Sequence, residues 1–126
     1  MENILNDLNT FLCDLNVFYR KLQNYHWNIK GKDFFVVHEK LEEYYNEINM
    51  QIDEVAEHIL SIDGQPLATL EDYIKNAKIK EAKNEKIEST EIFKEPFALL
   101  FSLARQAHLN KISSVISKFS GFLRST

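Results

Sequence analysis

Seven apolar residues, Ile4, Leu8, Phe11, Leu15, Phe18, Leu22 and Tyr25, fall at alternating steps of four and three. A helix returns residues at that spacing to one face, so the chain must open with a long amphipathic helix. Leu5, Leu12 and Tyr19 widen the stripe. The segment Asn28-Ile29-Lys30-Gly31-Lys32 breaks it, with Gly31 expected as the helix C-cap and Asp33 as the next N-cap. A second stripe, Phe34, Val37, Leu41, Tyr44 or Tyr45, Ile48, Ile52, Val55 and Ile59, predicts a helix from about Phe34 to Ile62. At the usual rise that helix is about 40 Å long. Two long helices joined by a short loop pack antiparallel.

The breakers are few: 3 Gly and 2 Pro in 126 residues, which favours long helices over a sheet with many turns. Asp63-Gly64-Gln65-Pro66 is a firm stop. Thr69 with Asp72 three residues later has the form of a capping box and predicts a short helix through about Ala77. Lys78 to Ser89 is charged and weakly apolar, and reads as an exposed connection. A third long helix is expected to begin near Ser89 or Pro96, carrying Phe97, Leu100, Phe101, Ala104, His108, Ile112, Val115, Ile116 and Phe119, and to end at Ser120-Gly121. The expected fold is therefore all-α, a single domain over residues 1–126 with three long helices and a short one. Room for a fourth long helix is missing. So apolar a layer implies a partner chain.

The net charge of -4 makes no general case for nucleic-acid binding. It is uneven: residues 1–96 carry 11 Lys/Arg against 19 Asp/Glu, whereas residues 97–126 carry Arg105, Lys111, Lys118 and Arg124 and no acid. A solvated helix face is the plain reading of that basic segment. Cys13 is the single cysteine, so an intramolecular disulfide is excluded and a reducing cytoplasm is expected, with the thiol buried and inert. Met1 to Asp7 has neither a basic region nor an apolar run and is not read as a secretion signal. No apolar run approaches 18 residues, and no membrane span is expected.

The chemistry lies between Tyr25 and Leu60. His26 comes first, then His38 and Glu42 four apart, then Asp53 and Glu57 four apart. Residues four apart share a helix face, so each pair is a half-site for a metal. Glu42 and Asp53 are eleven residues apart, about 16 Å along a helix. Ligands of one centre must lie about 2 Å from it. If both halves serve one site, a second copy of the chain supplies one of them. Imidazole with carboxylate suits iron, zinc or manganese. No E-x-x-H precedes any histidine, which argues against a di-iron site built within one bundle. His58 and His108 read as structural, Tyr44 and Tyr45 as core or interface. Glu39, Glu43, Glu47 and Glu54 read as a solvated face.

The run His26-Trp27-Asn28-Ile29-x-Gly31-x-x-Phe34-Phe35-x-x-His38-Glu39-x-Leu41, followed by Asp53-Glu54-Val55-Ala56-Glu57 and Gly64-x-Pro66-Leu67-x-Thr69-Leu70, resembles the signature of the Dps mini-ferritins. These form the starvation-protection branch of the ferritin superfamily, and the likeness runs over about residues 4–80. It implies a ferritin-like helical bundle assembling into a hollow dodecamer, with ferroxidase sites between two-fold-related subunits. His26, His38 and Glu42 match the ligands given by one chain, and Asp53 and Glu57 those given by the other. Glu42 stands where aspartate is usual. The implied activity is oxidation of Fe²⁺, with hydrogen peroxide the preferred oxidant, and storage of the ferric product, protecting a cytoplasmic host from oxidative damage. Trp27 reads either as an electron donor or radical quencher, or as a packed interface aromatic. Residues 97–126 diverge from the family and lack the acids of its fourth helix. Two other readings stay open: a truncated, non-catalytic helical oligomer, and a nucleoid-associated DNA-binding protein acting through the basic C-terminal segment.

Overall fold

The computed structural model describes residues 2–94 of the chain. Helix α1 spans Glu2–Asn28 and helix α2 spans Phe34–Ser61. They form an antiparallel hairpin, and the predicted stripes face each other across it. Leu8, Phe11, Leu12, Leu15, Phe18, Leu22 and Tyr25 of α1 bury against Val37, Leu41, Ile48, Val55 and Ile59 of α2. Each such side chain removed from water contributes about 1.5–3 kcal/mol, so the hairpin is held by burial along its length. Tyr44, Tyr45 and Ile52 pack half-buried at the edge of that core.

The stop after α2 is a Schellman turn. Gly64 N–H donates to the Ile59 carbonyl at 2.9 Å and Asp63 N–H to the Leu60 carbonyl at 3.0 Å. Asp63, with φ 63°, takes the left-handed position usually given to glycine. Gly64 is needed for a different reason. A Cβ there would overlap the Leu5 side chain and press on Ile59. Helix α3, Leu70–Asn76, is capped by Thr69, whose Oγ1 accepts from the Asp72 amide at 3.2 Å and donates to the Asp72 carboxylate at 2.6 Å.

One expectation is corrected and two are refined. First, α1 gives way at Asn28 to a two-residue strand, β1 (Ile29–Lys30), which pairs parallel with β2 (Ile87–Glu88). Gly31 therefore follows a strand instead of capping the helix, and its φ of 127° makes the turn. Second, Asp33 sits at the N-cap of α2 but its side chain makes no capping hydrogen bond. The turn is closed by backbone, with Phe34 N–H donating to the Gly31 carbonyl. Third, the connection after α3 carries exposed charges but its backbone is pinned. Asp14 Oδ1 accepts from the amides of Lys78 and Ile79, and Asn24 donates to the carbonyls of Ala82 and Lys83. The Lys30–Glu88 ion pair, 3.6 Å, flanks the strand pair, and Ser89, the first residue of α4 (Ser89–Lys94), is buried.

Helix α4 opens at Ser89, one of the two expected starts of the third long helix; the rest of that helix, its basic segment and His108 lie beyond Lys94, outside the described residues. Among the described residues no helix is long and apolar enough to cross a membrane.

Candidate metal centre

The α1–α2 hairpin brings His26 and His38 face to face. His26 sits in the last turn of α1 and His38 in the second turn of α2, and the turn at 29–33 folds one back over the other. Their rings stack with centroids 3.6 Å apart and planes 11° from parallel. Each ring is fixed by the other residue's backbone. His26 Nδ1 lies 2.6 Å from the His38 carbonyl oxygen, and His38 Nδ1 lies 2.7 Å from the His26 carbonyl oxygen. A carbonyl oxygen only accepts, so each Nδ1 carries the proton and donates. In the neutral imidazole the lone pair is then on Nε2 of both rings, and that nitrogen is the one left to bind a metal.

The packing around the pair is aromatic. Phe34 stacks on His38 at 4.9 Å, and Tyr45 meets His26 edge-on at 5.2 Å. His26 is buried and His38 half-buried. Burial and the charge of Glu42 raise the Tyr45 phenol above its ordinary value, keeping it protonated. Glu42, one turn along α2 from His38, is exposed.

Asp53 and Glu57 lie further along α2, both exposed, and do not join this cluster. Among the described residues no three His, Cys, Asp or Glu side chains of one chain gather closely enough to hold a metal ion. Along α2, Glu42 and Asp53 are eleven residues apart, about 16 Å on the helix axis.

Trp27 is 54 % exposed, with the Arg20 guanidinium 6.0 Å over its ring. Phe35 and Val36, 80 % and 73 % exposed, stand in the first turn of α2 close to the histidine pair in sequence. His58 is half-buried in the last turn of α2, away from the other histidines. Cys13 is fully buried, its thiol pushed up to about 11 by burial and by the nearby Asp14 and Asp72, which makes it inert.

Sequence reasoning named both histidines but missed how they are held. Their ring-to-backbone bonds arise only once the turn is closed, and the spacing of twelve residues carries no helical signal of contact. Tyr45 was assigned to packing alone; its neighbour Glu42 is the hint that it borders the site.

A family model described as a ferritin-like domain matches residues 5–112. General stress protein 20U of Bacillus subtilis is 46% identical over 81 residues, covering 64% of this chain and 56% of its own. DNA protection during starvation protein 2 of Bacillus anthracis is 44% identical over 81 residues, with the same coverage of 64% and 56%. The chain spans little more than half the length of these curated relatives. Among solved structures, the DPS protein from Vibrio cholerae O1, titled a member of a broad superfamily of ferritin-like diiron-carboxylate proteins, superposes with a TM-score of 0.78 at 31% identity, covering 98% of this chain and 79% of its own. Dps from Listeria monocytogenes gives a TM-score of 0.76 at 31% identity, covering 93% and 78%.

Proposed function

We propose, because this chain belongs to the ferritin-like family and to its Dps branch, that it binds Fe²⁺ and oxidises it at a site shared between two copies. The observation that carries this reading is the reciprocal histidine lock, which leaves two Nε2 lone pairs on one chain without a full ligand set. His26 and His38 bind through Nε2 and Glu42 through its carboxylate. Asp53 and Glu57 of a two-fold-related copy complete the site. Mixed imidazole and carboxylate donors suit Fe²⁺ and stabilise the ferric product through their negative charge. The exposed Trp27, Phe35 and Val36 supply apolar surface at the rim of the histidine half for the second copy to cover.

Iron is the substrate, and hydrogen peroxide is the preferred oxidant. Two Fe²⁺ at one site deliver both electrons at once: 2 Fe²⁺ + H₂O₂ + 2 H⁺ give 2 Fe³⁺ and 2 H₂O, with no hydroxyl radical released. Storage of the ferric product within a dodecameric shell, and a cytoplasmic location, follow the Dps pattern. DNA would be protected by removing Fe²⁺ and peroxide, since the described residues carry a net negative charge, 18 Asp/Glu against 11 Lys/Arg, and are poorly suited to phosphate contact.

Subunit mixing tests the shared site. His38→Ala and Asp53→Ala each lower the rate of ferric absorbance growth by at least about 10-fold, because losing a ligand costs no less than losing its supporting partner. Mixed and allowed to exchange subunits, the two variants regain activity, since a mixed dimer holds one intact site. Failure to regain it despite confirmed exchange would sink the inter-subunit arrangement.

A further inference from the structure

The histidine pair is the middle of a continuous column of rings. Phe35 meets Phe34 at 5.3 Å, Phe34 stacks on His38 at 4.9 Å, and His38 on His26 at 3.6 Å. His26 then meets Tyr45 at 5.2 Å and Tyr45 meets Tyr19 at 5.7 Å, nearly perpendicular in both cases. Of these rings only the two phenols give up an electron readily, and both lie on the same side of the imidazoles. Tyr19 Oη accepts a hydrogen bond from Gln23 Nε2 at 3.1 Å, which fixes the far end of the column.

We infer that Tyr45 is an electron donor to the iron site, with Tyr19 behind it as a second station, acting when peroxide meets a site that holds a single Fe²⁺. This rests on the ferroxidase reading above and deepens it. One Fe²⁺ has one electron to give, and peroxide reduced by one electron splits to hydroxide and a hydroxyl radical. With Tyr45 supplying the second electron and its phenolic proton, the balance is Fe²⁺ + TyrOH + H₂O₂ + H⁺ giving Fe³⁺ + TyrO• + 2 H₂O. The O–O bond breaks, iron and the phenol are each oxidised by one electron, and the phenolic proton with one from solvent completes two waters. The radical then exchanges with Tyr19, which gives up an electron and its phenolic proton while Tyr45 regains one of each, leaving the radical one ring contact further from the iron.

Electrostatics favours Tyr45 over the nearby indole. The Arg20 guanidinium over Trp27 disfavours a positive charge on that ring. Tyr45 instead feels the carboxylate of Glu42, which favours loss of an electron. Burial matters as well: within one chain Tyr45 and Tyr19 are half-buried and packed against the core, whereas Trp27 stands on the surface where two copies would meet. A radical held on the phenols is kept from outside reductants and from other chains.

Rapid freeze-quench electron paramagnetic resonance on the full chain tests this. The protein is loaded with one Fe²⁺ per site and mixed with hydrogen peroxide, and radical is counted per ferric ion formed. The expected result is an organic radical whose hyperfine structure collapses with ring-deuterated tyrosine and not with ring-deuterated tryptophan. Tyr45→Phe, which keeps the ring contact on His26, should lose most of that signal, and spin-trapped hydroxyl radical should rise in its place. Tyr19→Phe should keep the early yield and change only how the line shape evolves with time. An undiminished yield in Tyr45→Phe, or a signal answering to tryptophan deuteration, overturns the relay alone. A chain that forms no ferric ion even with two Fe²⁺ per site overturns the ferroxidase reading, and the relay with it.

Discussion

The two ends of α2 hold their candidate ligands in opposite ways. At the first, His38 is held by stacking and by hydrogen bonds that run both ways between two rings and two carbonyl oxygens. At the other, Asp53 and Glu57 stand exposed on the helix surface. An imidazole has few rotamers and one spare N–H, so a backbone oxygen can fix it completely. A flexible carboxylate facing solvent waits for a cation or a neighbouring chain to fix it. The histidine half is thus part of the fold, while the acidic half is part of the surface.

That contrast breaks if both ends respond alike to truncation. In metal-free protein, His38→Ala is expected to cost about 2–3 kcal/mol, because the His26 carbonyl loses its donor and the ring its stacking partner. Asp53→Ala should stay within about 0.5 kcal/mol, as for other exposed positions. Urea melts of the two variants measure this directly, and equal losses would refute the distinction. The turn joining α1 to α2 sharpens it next. Gly31→Ala forces a side chain into φ 127° with its Cβ 2.9 Å from Ser89 Oγ, and should cost about 1–2 kcal/mol. Because that turn sets the histidine register, the same variant should slow iron oxidation, whereas Thr69→Ala, costing about 1 kcal/mol through its lost cap at α3, should not.

The smallest effect concerns pH. Cys13 in the fold titrates at about 11 against an ordinary 9.0. Through that window the unfolded chain has released a proton that the native chain keeps, so the contribution is complete below about pH 9 and fades as pH rises toward 11. A Cys13→Ala variant should show a shallower loss of stability over this range. The native thiol should also resist iodoacetamide at pH 8 until the chain is unfolded.

What the sequence made legible follows the range of the interactions. The stripes gave both long helices to within a few residues, because a helix face is a local pattern. Thr69 and Asp72 marked the start of α3 for the same reason. The strand pair, the burial of Ser89 and the pinning of the 78–83 backbone by Asp14 and Asn24 join positions 58 to 65 residues apart, and no local pattern encodes them. Gly31 was rightly marked as a break and wrongly marked as a helix cap, because a two-residue strand leaves no periodicity to detect. The ligand candidates were readable as residue types at a spacing. The tautomer that makes the histidines usable came only from the closed turn.

Since the atoms that aim each imidazole belong to the main chain, either ring can be lost without disorienting its companion. The oxygen that steers His26 is still there when residue 38 is alanine, and the converse holds. Damage to one ring, by substitution or by the oxidants such a site would handle, would weaken the protein and thin its donor set. The surviving nitrogen would keep its bearing.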